Sequence, residues 1–570
     1  MKKRKYILII FLIFFLLISA TLVVYVIYQF GRPPSVRAQS YLEINLSGDI
    51  YEQAEPDFLY MLLSGRKPIT MNNLWMNLRK AKVDKRIDSL FLRIGYLQCG
   101  WAKTNEIREI ILDFKKSGKK TYAYIEEGPE LDKQYYLATA CDRIILHPLG
   151  SLNIHGIGGY FIFFKKALAK LGIEAEFEHV EEYKTAASSF TEEGFTPAHR
   201  EMMESIYGDL FSQYVKGVAQ ARGKSEEEIK ELIDYGFFQG EKAIEAGLVD
   251  ELLFQDQIEK LLKGKKKKLN KITLSRYSKI KPSSLGLNKG KKIALIYAVG
   301  PIYSGESQFQ ILGAQTVARW IKKARENKSI AAVVFRVDSP GGSAVGSDII
   351  WREVALTKKE KPFIVSMSDV AGSGGYWISA PAHKIVAQPQ TLTGSIGVLS
   401  GKINMAGLLQ KLGITSEKLT YGKRADIYSP FRSLTPEERA LLKKEILWIY
   451  EQFLTKVADG RNMTKEEVHK IGKGRVWTGN QAKGIGLADE IGGLSKAIEL
   501  AKEKADIPAE EEVRLVIWPK KVSLFQTLLR RTETPLGLYF GPKFEKIIPI
   551  LKLMERNHVL AIMPLWIGPE

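Results

Sequence analysis

The chain is built on an internal repeat whose two copies carry complementary defects. Residues 131–148, LDKQYYLATACDRIILHP, align with 372–389, GSGGYWISAPAHKIVAQP, so that Tyr135 faces Tyr376 at an offset of 241. Farther on, HVEEYKTAASSF aligns with TYGKRADIYSPF, and Phe190 faces Phe431 at the same offset. GEKAIEAGLVDEL (240–252) then matches GNQAKGIGLADEI (479–491) at an offset of 239, the slip falling where TEEGFTP is longer than RSLTP. In this register Ser373 of Gly-Ser-Gly-Gly faces Asp132, and Lys184 faces Ala425. One copy keeps a candidate nucleophile and the other a candidate base, as duplication followed by division of labour would leave them.

The repeat reduces 570 residues, too many for one hydrophobic core, to two related domains and their ends. SYLEINLSGDI (40–50) and KKIALIYAVGPI (291–302) open the copies as strands. Each is followed by a helix, a second strand (DSLFLRI; AAVVFRV), another helix and a third strand (TYAYIEE; PFIVSMS). Strands alternating with helices predict βαβ units on a largely parallel sheet. Each copy closes on a helix pair whose second helix has a capping-box start, Ser225 with Glu228 and Thr464 with Glu467. The first repeat is expected at 40–262 and the second at 293–505. Between them, 263–292 is charged, has little apolar periodicity, and reads as a basic linker. Residues 506–570 form an extension expected to have no counterpart in the first copy. Its VLAIMPLWIG is strongly apolar but too short to span a bilayer, and is expected to pack on a partner or the lipid surface.

Residues 6–30, YILIIFLIFFLLISATLVVYVIYQF, contain no charge and are long enough to cross a membrane, for which about 20 apolar residues suffice. No small-x-small cleavage site follows, so the run reads as an uncleaved anchor. The basic end at 1–5 (Lys2, Lys3, Arg4, Lys5) outweighs Arg32 and Arg37, which predicts a cytoplasmic amino terminus and an extracytoplasmic bulk. The net charge of +20 has no zinc pattern, RNA-binding signature or helix-turn-helix beside it. Solvated lysines on helix faces therefore explain it better than nucleic acid, and an anionic membrane surface suits it. Cys99 and Cys141 lack metal-ligand spacing; one disulfide or two buried thiols both remain open.

Two glycine turns carry the chemistry. VVFRVDSPGGS (333–343) brings a Gly pair to the end of a strand, where backbone N–H groups can turn toward a ligand without a Cβ in the way. DVAGSGGYWIS (369–379) places Ser373 at a strand-to-helix turn, with the Gly374 N–H at the helix start ready for developing negative charge. A serine needs a base. None of the seven histidines sits in a motif that would supply it, and His383 reads as structural. Lysine can serve if burial keeps its amine neutral, and Lys184 lies in VEEYKTAASSF among small residues.

RVDSPGGS, GSGGYWIS, QTLTGSIGV and EEYKTAASSF together resemble the long, duplicated form of the signal peptide peptidase A (protease IV) family, membrane-anchored serine-lysine peptidases. The resemblance runs from the anchor to about residue 505. It implies an α/β chain of two tandem crotonase/Clp-protease-like βαβ domains behind one transmembrane helix, without metal or cofactor. Carried over, it implies Ser373 as nucleophile, Lys184 as general base and Ser395 as the hydroxyl orienting the amine. The N–H groups of Gly374 and the Gly341/Gly342 turn would form the oxyanion hole. Expected substrates are apolar peptides, above all cleaved signal peptides, at a bacterial inner membrane. The expected assembly is a homo-oligomer, a tetramer by resemblance. Ala425 stands where the short single-copy form carries its lysine, and Gly372 where long-form members often have Ala. A crotonase-type acyl-CoA enzyme, a non-catalytic membrane scaffold and a Ser-His-Asp esterase are the competing classes.

Overall fold

The computed structural model describes residues 35–53, 68–126, 128, 130–307, 311–519 and 559–563, together with Phe14, Phe15, Ile18 and Thr21. The expected anchor at 6–30 lies almost wholly outside these residues. Among the described residues, no helix is long and apolar enough to cross a membrane.

Two sheets of matching topology form the body. In the first copy the strands run, from edge to edge, Asn270–Thr273, Ser40–Tyr51, Ile87–Gln98, Lys120–Ile125, Arg143–Leu146 and Glu251–Leu252, every neighbouring pair parallel. In the second, Arg514–Trp518, Lys292–Val299, Ile330–Ser339 and Phe363–Gly372 repeat the order, and Phe363–Gly372 goes on to pair with both Lys384–Ala387 and Leu392–Gly394. These central strands are nearly continuous apolar runs because helices cover both faces. The helix Ala314–Glu326 shows the matching pattern, burying Val317, Ile321 and Ala324 on one stripe. Both expected capping boxes are present, on Glu226–Tyr235 and Lys465–Ile471.

The copies do not sit apart. One continuous apolar cluster takes Leu90, Leu92 and Ile111 from the first copy and Val334, Ile364 and Ile498 from the second. A third, smaller sheet stitches them together: 312–313, 302–303, Gly341–Ser343, Val559–Ile562, Leu399–Asn404 and, from the first copy, Glu174–His179.

Two expectations need correction. The span 263–292 is not a bare linker, since Asn270–Thr273 is an edge strand of the first sheet and Tyr277 and Ile280 are buried. Nor does 506–570 lack a counterpart, because Arg514–Trp518 pairs with Lys292–Val299 as Asn270–Thr273 pairs with Ser40–Tyr51. Both strands are short, and each carries or borders charge, so neither shows in hydrophobic periodicity. Both cysteines are free thiols. Burial pushes Cys99 up to about 11 and Cys141 up to about 12, leaving them protonated.

Candidate active site

Lys184 reaches the second copy on an arm of the first. The strand Glu174–His179 runs antiparallel to Leu399–Asn404, from Leu399 opposite His179 to Asn404 opposite Glu174. Buried Glu176 pins it by accepting from Arg439 at 2.6 Å and from the Leu434 N–H. Beyond the strand, Val180 N–H donates to Val398 O at 3.1 Å and Tyr183 N–H to Lys473 O at 3.2 Å. Gly474, at φ +83°, leaves room for the lysine backbone; a Cβ there would stand 2.5 Å from Lys184 N.

Ser373 caps the helix Gly374–Ser379 at the end of the strand Phe363–Gly372. Lys184 Nζ lies 2.8 Å from Ser373 Oγ, 3.0 Å from Ser395 Oγ and 3.1 Å from Ser395 O. Ser373 Oγ also reaches Gly397 O at 3.3 Å. Ser373 and Ser395 are fully buried and Lys184 is 1% exposed. Glu181, Ser373, Ser395 and Lys473 hold positive φ of 62°, 53°, 50° and 52°. For side chains with a Cβ this conformation costs on the order of 1–3 kcal/mol each, and such residues cluster at functional sites.

Burial alone drives the Lys184 amine well below the ordinary lysine value. Among the described residues the hydrogen bonds of the Ser373 hydroxyl go to Lys184 and Gly397, with no histidine among them. His383 instead accepts from Phe363 N–H at 3.1 Å. A Ser-His-Asp arrangement is absent from these contacts.

The Gly turn lies against the start of the nucleophile helix: a Cβ on Gly341 would sit 2.6 Å from Gly374 N. Gly341 N–H donates to Ser339 Oγ at 3.2 Å and is thereby occupied, while Gly342 faces Ala561. Asp132, the first-copy mate of Ser373, accepts from the backbone N–H groups of His155 and Gly156. It fills its own degenerate site.

The apolar segment 559–563 packs within its own chain. Val559–Ile562 runs antiparallel both to Gly341–Ser343 and to Leu399–Ser400, between the Gly turn and the strand that holds the lysine arm. Met563 N–H donates to Pro340 O at 2.7 Å. Leu560, Ala561, Ile562 and Met563 are all buried.

Behind the glycine turns lies a cluster of charges that the sequence did not reveal. Arg336, on the strand leading to the Gly turn, bonds both oxygens of Glu52 at 2.9 Å and also reaches Glu106. Lys103 Nζ lies 2.7 Å from Asp338 Oδ2, and Asp369 accepts from the N–H groups of Gly100 and Lys103. First-copy groups thus grip both second-copy strands that end at the site. Removing one partner of a buried ion pair strands the other charge, at about 3–5 kcal/mol. Arg336→Met strands both Glu52 and Glu106 and is therefore expected to lower the denaturation midpoint strongly, and the triple variant Arg336→Met/Glu52→Gln/Glu106→Gln much less. Chemical denaturation of both, with wild type, checks this.

Residues 113–270 and 355–508 match Peptidase family S49. This chain belongs to that family. Serine protease SPPA, chloroplastic, of Arabidopsis thaliana is 37% identical over 492 residues, covering 84% of this chain and 71% of the relative. Protease 4 of Haemophilus influenzae is 32% identical over 504 residues, covering 85% and 82%. The chain is accordingly a serine peptidase. ClpP1 from Listeria monocytogenes aligns with 35% of this S49 chain and 89% of its own, at 17% identity and a TM-score of 0.22. The two-sheet architecture rests on the strand pairings themselves.

Proposed function

We propose that this S49 peptidase works through a Ser373/Lys184 dyad formed where its two copies meet. The observation that carries the reading is the 2.8 Å contact between a buried, uncompensated amine and the serine hydroxyl. Neutral Lys184 takes the hydroxyl proton as Ser373 Oγ attacks a peptide carbonyl, then returns it to the leaving amine. Ser395 Oγ holds the amine toward Ser373. The N–H groups of Gly374 and Gly342 receive the oxyanion, with Gly341 shaping the turn. Water then hydrolyses the acyl-enzyme.

Substrates bind as extended strands in the slot that 559–563 now fills, adding to Gly341–Ser343 on one side and Leu399–Ser400 on the other. The alternating apolar side chains of Leu560 and Ile562 point to apolar peptides, and cleaved signal peptides are the natural supply beside a membrane. With 6–30 as anchor, the enzyme works at the outer face of a bacterial inner membrane.

If 559–563 competes with substrate, its deletion lowers KM for an apolar peptide and raises kcat/KM by roughly tenfold, since an occupied site lowers apparent affinity by the fraction closed. A fall in kcat/KM on deletion would mean that the strand is a wall of the groove. A comparison of apolar and polar peptides of equal length tests the substrate class, and equal kcat/KM for both contradicts it.

A further inference from the structure

The parallel ladder between Ile330–Ser339 and Phe363–Gly372 breaks just before both glycine turns. Val337 stands opposite Met367 and Ser339 opposite Ala371, so Asp338 faces the three residues 368–370. A break of this kind takes backbone bonds out of the ladder. Side chains repair it here. Asp338 Oδ1 accepts from the Val370 N–H at 3.1 Å, and Asp338 Oδ2 accepts from Lys103 Nζ at 2.7 Å. Lys103 Nζ also lies 3.4 Å from Asp369 Oδ2. One first-copy amine therefore bridges two carboxylates, three residues before Gly341 and four before Ser373.

The second copy in turn fixes the backbone of Lys103. The helices Trp101–Lys115 and Ala344–Lys358 are mates of 15 residues each, Ala344 facing Trp101 at an offset of 243. Ala344–Lys358 is capped from its own chain end, Ser343 Oγ accepting from the Gly346 N–H at 3.1 Å. Gly100 stands at the mate position of Ser343 and has no side chain to cap with. Asp369 supplies that cap, accepting from the N–H groups of Lys103 at 2.8 Å and Gly100 at 2.9 Å. A Cβ on Gly100 would stand 2.4 Å from Asp369 Oδ1, so the glycine that lacks a cap also leaves room for this one.

Lys103 and Lys184 are both buried, and their surroundings divide their roles. Burial pushes both amines down. At Lys103 the carboxylates of Asp338, Asp369 and Glu52 more than reverse this, and the amine stays charged. A fixed cation cannot act as base, but it can hold a spacing.

We propose that Lys103 is a positioning residue of the peptidase, setting the separation between the Gly341/Gly342 turn and the Ser373–Gly374 turn, and with it the oxyanion hole. The inference rests on the hole assigned above to the Gly374 and Gly342 N–H groups. The test measures kcat, KM and the inhibition constant of a peptide aldehyde, whose hemiacetal with a nucleophilic serine mimics the oxyanion, on the full chain in detergent micelles. Lys103→Met should lower kcat about 100-fold, the scale of a 1 Å misplacement, and weaken the aldehyde in step, while KM moves less than about threefold. Because that change strands two carboxylates, Lys103→Met/Asp338→Asn/Asp369→Asn is measured beside it. Asparagine keeps an acceptor at each position, so the denaturation midpoint should largely return while kcat stays low. A kcat that recovers with the midpoint, or one within about threefold of wild type in Lys103→Met, overturns the proposal. Ser373→Ala, run alongside, tells the two readings apart. An inactive Ser373→Ala beside an unimpaired Lys103→Met overturns the positioning role alone, whereas activity surviving in Ser373→Ala overturns the site on which that role rests.

Discussion

Ser373→Ala is expected to lower kcat by at least about 1000-fold while leaving the fold intact, the scale on which loss of a nucleophile acts. The substitution removes one buried oxygen and no packing volume of consequence. What remains is an amine still held by Ser395 Oγ at 3.0 Å and Ser395 O at 3.1 Å, so Lys184 keeps its place. Turnover of an apolar peptide ester, with circular dichroism as folding control, measures the effect. Residual activity within about tenfold of wild type would remove Ser373 from the chemistry.

Lys184→Met should abolish activity on the same scale but leave stability equal or higher. Methionine fills the lysine channel without an amine, and a buried amine with no carboxylate partner is a cost to the fold. The sign follows from linkage. Burial lowers the folded-state pKa of Lys184 below its unfolded value. Between those two values the unfolded chain binds the extra proton, so wild-type stability climbs with pH across that window. The melting-temperature advantage of Lys184→Met should therefore be full at and below the folded-state pKa of Lys184 and shrink as pH rises toward ~10. Activity runs the same way, since only the neutral amine accepts a proton: kcat rises with pH through one ionisation below the ordinary lysine range. A rising limb that survives in Lys184→Met would place the base elsewhere.

Much of the site was legible because the repeat made absences informative. Ser373 stood out against Asp132, and Lys184 against Ala425, and the structure brings Ser373 and Lys184 within hydrogen-bonding distance across 189 residues of chain. The parallel sheets followed from apolar runs such as KIALIYAV. Less visible was anything set by tertiary contact alone. Glu52 and Arg336 meet across 284 residues, and the available hint was charge inside an apolar strand, the Arg and Asp of VVFRVDS. Gly474 gave no sign of the lysine backbone it accommodates. NKIT and RLVIW carry little signal as matched edge strands because each is short and carries or borders charge. The segment 559–563 was plainly apolar, but hydrophobicity says that a strand will be covered and not by what.

Active-site labelling shows whether one site draws its nucleophile from the second copy and its base from the first. A serine-directed phosphonate probe is applied across pH to wild type and Lys184→Met, and the labelled residue is mapped. Label is expected on Ser373 alone, at a rate that rises with pH through a single ionisation in wild type and is lost in Lys184→Met. Label on another residue, or Ser373 labelling that is indifferent to Lys184→Met, would contradict it.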